Sequence, residues 1–138
     1  MMNKFFVYGT LMSGMSNHNI LIQEAIENIE PAIVEKKDLY IHECGRFPCM
    51  LEGTGKVLGE IITIKPEYLN ISIKLLDRLE GYYGLDDDMN LYHRILSHCK
   101  AHDGSLIECY MYLYNHKRKG LGEPINDGDF RKHMVGVV

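Results

Sequence analysis

Ile107-Glu108-Cys109-Tyr110-Met111-Tyr112-Leu113-Tyr114 puts Tyr110, Tyr112 and Tyr114 on one side of an extended chain and Cys109, Met111 and Leu113 on the other. Alternation at a period of two, in residues that favour a pleated surface, is the mark of a β-strand. Working outward, Tyr92–His98 has the same character, as do Lys56–Ile64, Cys49–Glu52, Leu39–His42 and the opening run Phe5-Phe6-Val7-Tyr8. Gly59 interrupts the longest of these and predicts a bulge or a close approach of another backbone.

Two stretches read as helices. From Asn19 onward Ile22, Ala25, Ile26 and Ile29 fall at i, i+3, i+4 and i+7, with Pro31 as the expected stop. Pro66 opens the second, whose stripe of Leu69, Ile73, Leu76 and Glu80 ends at Gly81, a residue suited to cap it. Many short strands around two helices predict an α+β domain with a small mixed β-barrel and flanking helices, one domain spanning residues 1–138.

Composition narrows the function. A chain of 138 residues with 46% hydrophobic and 25% charged content is that of an ordinary globular domain, and no repeat or low-complexity run interrupts it. A formal charge of −4 gives no general field for phosphate backbones, so no nucleic-acid partner is expected. The basic run His116-Lys117-Arg118-Lys119 reads as a solvated turn. No membrane segment and no export signal are evident, which makes the cytoplasm the expected location and Cys44, Cys49, Cys99 and Cys109 reduced thiols. Oligomeric state is not legible.

Two features could carry chemistry. Helical spacing aims Glu80 toward the apolar side of its helix, where desolvation and the negative helix end raise a carboxyl pKa toward proton-shuttle range. The pattern alone fits a boundary glutamate in water or paired with Arg78 or Arg94 better. The turn Gly9-Thr10-Leu11-Met12-Ser13-Gly14 follows a strand and could present consecutive backbone N–H groups to a carboxylate or an oxyanion. The tyrosine face is either a pocket wall or a half-exposed strand. Three aspartates in Gly84-Leu85-Asp86-Asp87-Asp88-Met89-Asn90 form a solvated loop or, if they border a cavity, a rim favouring a cationic leaving group.

These pieces together resemble the γ-glutamylcyclotransferase-like (AIG2-like) family. Phe6-Val7-Tyr8-Gly9-Thr10-Leu11 is similar to its opening VYGTL motif, Phe47-Pro48 to its aromatic-proline pair and Val57-Leu58-Gly59-Glu60 to its V-x-G-E strand. Leu76-Asp77-Arg78-Leu79-Glu80-Gly81-Tyr82 resembles the LD-x-x-EGY motif that carries the catalytic glutamate. Tyr92-His93-Arg94 stands where the family shows Y-x-R, and Pro124–Phe130 is a looser match to its tail. The resemblance implies a small mixed barrel and a cofactor-free enzyme that converts a γ-glutamyl amine to 5-oxoproline plus free amine, with no metal. Glu80 is then the catalytic residue, and Tyr8, Gly9, Thr10, Leu11, Arg94 and Tyr112 are the expected substrate-binding residues.

Three rival readings stay open. A protein of this shape could bind a γ-glutamyl-type ligand without turning it over. His42, Cys44 and Cys49, or His98, Cys99 and His102, could gather a metal, although neither group has the spacing of a zinc module. Cys49 or Cys99 could serve as a nucleophile activated by His98 or His102.

Overall fold

The computed structural model describes residues 2–85 and 87–135. Strand β1 (Lys4–Val7) leads into the glycine turn, and single 3₁₀ turns follow at His18–Ile20 and Gln23–Ala25. Then come β2 (Ile26–His42), β3 (Pro48–Ile64), α1 (Leu69–Leu79), β4 (Tyr92–Ala101), β5 (Leu106–Tyr114), β6 (Leu121–Pro124) and α2 (Phe130–Val135).

The strand order β3-β1-β5-β4-β2 returns on itself because β2 also pairs with β3, so five strands close into a barrel; β6 is added to the outer end of β2. Only β1 and β5 run parallel among the described pairings, which makes the barrel mixed. The expected fold class is therefore the one observed. Phe5, Phe6, Met50, Val57, Ile61, Ile62, Ile64, Cys109, Met111 and Phe130 are at most 1% exposed and form the centre of the core.

The helix expected from Asn19 to Ile29 does not form. Two 3₁₀ turns occupy its first half, and Ile26 onward enters β2, where Ile26 faces Ile64 and Ile29 faces Ile62. Three of the four stripe positions are isoleucines, whose branched Cβ favours strands, and the apolar end of β3 supplies a long-range partner that local periodicity cannot register. Pro31, the expected stop, sits inside β2 opposite Glu60, one residue before β4 joins the other edge, a position a proline tolerates.

The strands expected at Cys49–Glu52 and Lys56–Ile64 are one strand of 17 residues. Gly53-Thr54-Gly55 between them is no turn. The Asp38 carboxylate of β2 accepts hydrogen bonds from the N–H groups of Thr54 (3.2 Å) and Gly55 (3.0 Å), and a Cβ on Gly53 would sit 2.2 Å from that carboxylate. A register shift between Glu35 and Lys37, with Lys36 at φ 58°, bends the hairpin at the same level. Gly59 meets its expectation as a close approach: a Cβ there would lie 2.2 Å from the Val7 carbonyl oxygen and 2.7 Å from the Phe6 ring.

The second predicted helix is α1, after a 3₁₀ turn at Pro66–Tyr68. Leu69, Ser72 and Leu76 are buried, and the helix stops where Gly81 adopts φ 63°. The N–H of Tyr82 donates to the Asp77 carbonyl (2.9 Å) and that of Gly81 to the Arg78 carbonyl (3.3 Å), the paired bonds of a Schellman cap. Glu80 is the residue this cap encloses.

The basic run 116–119 is an exposed turn, as expected. Cys44 is exposed, the other three cysteines are buried, and all four are free thiols. Among the described residues no helix is long and apolar enough to cross a membrane.

Candidate active site

A cavity of about 150 Å³ opens where the end of β1, the start of β3, the end of α1 and the strands β4 and β5 meet. The sequence-predicted residues Tyr8, Gly9, Thr10, Leu11, Glu80 and Tyr112 all line it. Asn17, Phe47, Pro48, Leu79, Leu91 and Tyr92 complete most of the wall.

The glycine turn is built so that its donors stay free. Met12 N–H closes it onto the Gly9 carbonyl (3.1 Å), and Asn17 straps it twice, N–H to the Thr10 carbonyl (2.8 Å) and Nδ2 to Thr10 Oγ1 (2.9 Å). Among the described residues no acceptor meets the N–H groups of Gly9, Thr10 and Leu11. Three consecutive unclaimed donors on residues lining a cavity can receive an anion or a developing oxyanion. Glycine is required at the first position, since a Cβ on Gly9 would lie 2.7 Å and 2.8 Å from the Pro48 ring. The aromatic-proline pair thus sets the spacing between turn and β3.

Glu60 anchors the far end of this turn, a role the sequence reading missed. Its carboxylate accepts from Ser13 N–H and Ser13 Oγ, both at 2.7 Å. Arg131 of α2 donates to the Ser13 carbonyl (2.8 Å) and lies 3.5 Å from the same carboxylate. A carboxylate on a strand that pairs with β1 is buried and needs hydrogen-bonding partners, but that pairing is a matter of register and is not written in the local sequence.

Opposite the turn, the Schellman cap presents Glu80. Burial pushes its carboxyl from the ordinary 4.5 up to about 8, with no hydrogen bond or cation pulling it back. The side chain is half-buried at the cavity wall, and among the described residues it forms no ion pair with Arg78 or Arg94. Tyr8, Tyr92 and Tyr112 surround it closely enough that its charge helps to raise the pKa of all three, behind the larger effect of their own burial. Their hydroxyls are already committed. Tyr8 donates to the Tyr112 carbonyl (2.5 Å), Tyr92 to the Pro48 carbonyl (2.6 Å) and Tyr112 to Asp77 Oδ1 (2.6 Å). The rings therefore serve as fixed walls of low polarity around one carboxyl group.

The tyrosine face divides. Tyr112 reaches the cavity; Tyr114 donates to the Lys119 carbonyl (2.8 Å) and packs edge-on to Tyr92; Tyr110 packs against Phe5.

Arg94 is the predicted substrate-binding residue that the structure does not bring to the cavity wall. Its Nη1 lies 3.2 Å from Asp77 Oδ2, and its guanidinium carbon sits 5.3 Å from the Tyr82 ring centre and 4.9 Å from that of Tyr110. The register explains this correction. Arg94 pairs with Tyr112, but the Asp77 carboxylate stands beside both and attracts the guanidinium as an ion pair without a hydrogen bond.

The acidic loop does not supply a rim in its described part. Asp87 accepts from Met89 N–H (2.9 Å), Asp88 lies 3.5 Å from Lys117 Nζ, and neither lines the cavity. Asp86 lies outside the described residues. No cluster of three or more metal-ligating side chains occurs among the described residues. His42 instead stacks on Phe47 at 4.4 Å. Burial raises the Cys49 thiol to about 12, far from the range of an activated nucleophile.

The family model for "Gamma-glutamyl cyclotransferase, AIG2-like" matches residues 5–132. A curated relative from Niallia circulans, γ-L-glutamyl-butirosin B γ-glutamyl cyclotransferase, is 28% identical over 83% of this chain and 68% of its own. Among solved structures, YkqA from Bacillus subtilis superposes with a TM-score of 0.70 at 25% identity, over 99% of this chain and 42% of that one. An AIG2-like protein from Mus musculus does so with a TM-score of 0.63 at 24% identity, over 88% of this chain and 85% of that one. With the barrel, the glycine turn and the capped glutamate in place and the family model spanning nearly all of it, the chain belongs to the γ-glutamyl cyclotransferase, AIG2-like family.

Proposed function

We propose that the protein converts a γ-glutamyl amine to 5-oxoproline and the free amine, with Glu80 as proton shuttle and the N–H groups of Gly9, Thr10 and Leu11 as anion donors. The observation that carries this reading is the position of Glu80: a carboxyl with its pKa pushed up to about 8 by burial, on the lining of the same small cavity as three unclaimed backbone donors.

The chemistry asks little else of the protein. The substrate's α-amine attacks its own γ-carbonyl, so nucleophile and electrophile share one chain and the main task is to hold that chain curled. The α-ammonium group arrives beside Glu80, favours its carboxylate form and loses a proton to it. The free amine forms the new C–N bond, the carbonyl oxygen becomes an oxyanion, and the turn's N–H groups stabilise it. Glu80 then protonates the leaving nitrogen as the old C–N bond breaks. Overall the α-nitrogen gives up two protons and the released amine takes up two, so one carboxyl alternating between base and acid suffices. Tyr8, Tyr92 and Tyr112 surround that carboxyl with surface of low polarity.

The test is release of 5-oxoproline from a panel of γ-glutamyl amines by the parental protein and Glu80→Gln. The panel includes ε-(γ-glutamyl)lysine and γ-L-glutamyl-butirosin B, the compound named for the Niallia circulans relative. Turnover by the parent and its loss in folded Glu80→Gln supports the reading; equal turnover by both overturns the role of Glu80. Ligand-induced thermal shift without turnover would favour the binding-protein alternative.

A further inference from the structure

The cap that holds Glu80 is itself held from outside. In the ring of six residues from Asp77 to Tyr82, the Tyr82 N–H bonds back to the Asp77 carbonyl, and Glu80 lies between them. Arg94 reaches both ends of that ring, Asp77 Oδ2 at 3.2 Å as an ion pair in which the buried Nη1 makes no hydrogen bond, and the Tyr82 ring at 5.3 Å. Tyr110 backs the guanidinium from the barrel side at 4.9 Å, and Asp77 is tied to the cavity wall by the Tyr112 hydroxyl at 2.6 Å. Arg94 and Asp77 side chains are each 21% exposed, so the pair is shielded from most of the competing water. A planar guanidinium can meet a carboxylate at its edge and aromatic rings at its faces together, which an ammonium cannot.

We infer that Arg94 is a positioning residue, which fixes the Asp77–Tyr82 cap and with it the direction of Glu80, rather than a contact for the substrate. This rests on the proposed role of Glu80. Residues 77–82 form the junction between α1 and a long loop, and the C-terminal end of the ring is held by the Leu91 N–H on the Gly81 carbonyl, by Tyr82 against the core and by this clamp. Misplacement of a reacting group by about an ångström costs on the order of a hundredfold in rate. A substrate ligand would instead show itself in KM.

Steady-state kinetics of Arg94→Met, Arg94→Lys, Asp77→Asn and Arg94→Met/Asp77→Asn distinguish the two roles. Positioning predicts that Arg94→Met and Asp77→Asn each lower kcat by about ten- to hundredfold with KM within about threefold. It also predicts that the double variant is no worse than the more damaging single one and that Arg94→Lys recovers part of the loss. A KM raised tenfold or more at unchanged kcat in Arg94→Met, or parental kinetics in Asp77→Asn, overturns the inference. Titration of the Glu80 carboxyl by ¹³C NMR is a readout that needs no turnover. Tyr8, Tyr92, Tyr112 and Cys49 are the other titratable groups around the site. A freed Glu80 titrates below the parental midpoint in both Arg94→Met and Asp77→Asn; an unmoved midpoint in both overturns the inference. If Arg94→Met fails to fold, Asp77→Asn and Arg94→Lys carry both readouts. Glu80→Gln runs beside them: its full activity would defeat the proposed function, whereas a KM effect at Arg94 with Glu80→Gln inactive would defeat this inference alone.

Discussion

The two walls of the cavity do comparable work with opposite materials. The turn after β1 offers backbone N–H groups, and its side chains matter through the shape they impose. The end of α1 offers one side chain, and its backbone matters because the Schellman cap aims that side chain into the cavity. A site divided this way should tolerate most changes in the turn that keep its path and almost none at the tip of the helix. Substitutions should therefore separate the two walls by size of effect.

The largest effect belongs to Glu80→Gln. It keeps the volume, removes the shuttled proton and should lower turnover by about a hundred- to ten-thousandfold, measured as 5-oxoproline release. The same variant should be more stable than the parent at high pH. Glu80 is driven from its ordinary 4.5 to about 8 by burial, so between those values the folded chain holds a proton that the unfolded chain has released. Whatever stability the neutral carboxyl contributes is complete below about pH 4.5 and lost as pH rises through about 8. Glutamine never ionises. The melting temperature of Glu80→Gln minus that of the parent should grow from pH 5 to pH 9; a constant difference would mean that the carboxyl is not desolvated.

Gly9→Ala tests the other wall through its shape. The added methyl lies under 3 Å from the Pro48 ring, and Pro48 is buried, so turn or strand must move. Overpacking of this kind costs about 1–3 kcal/mol, and displacement of the donors should lower kcat/KM by roughly ten- to hundredfold. Thermal melts and kinetics check the two parts; a variant as active as the parent would show that the turn's donors take no part.

Glu60→Gln should come third. The amide keeps one acceptor for Ser13 N–H but loses the charge that draws in Ser13 Oγ and Arg131. Because the lost contacts lie at the far end of the turn, an increase in KM of about three- to tenfold is expected, with about 1–2 kcal/mol of stability. Unchanged KM would mean that the Gly9–Leu11 segment keeps its form without this anchor.

Much of this was legible in the sequence, and what was not has a common cause. Tyr8, Gly9, Thr10, Leu11, Glu80 and Tyr112 could be gathered from motifs and periodicity because each is placed by its own element: a strand end, a helix end or an alternating strand. The closed mixed barrel followed from the count and character of the strands. The false helix at Asn19–Ile29 failed because its fate was decided by Ile62 and Ile64, more than thirty residues away in sequence. Glu60, Tyr92 and Arg94 were missed or misplaced for the same reason. Their roles depend on which partner lies across the barrel, Ser13, Pro48 and Asp77 respectively, and register is not written in local pattern.

The smallest effect is the sharpest test of the contrast. Thr10→Ala sits in the middle of the donor turn yet leaves all three N–H groups in place. It removes one hydrogen bond, from Asn17 Nδ2 to Thr10 Oγ1, while the backbone bond from Asn17 N–H to the Thr10 carbonyl remains. A half-exposed neutral hydrogen bond is worth about 0.5–1.5 kcal/mol, so kinetics within about threefold of the parent and a slightly lower melting temperature are expected. Thr10→Pro deletes the N–H itself and should lower kcat/KM far more. If Thr10→Ala instead approached the loss seen in Glu80→Gln, the turn would be acting through the threonine hydroxyl, and the division between a backbone wall and a side-chain wall would fail.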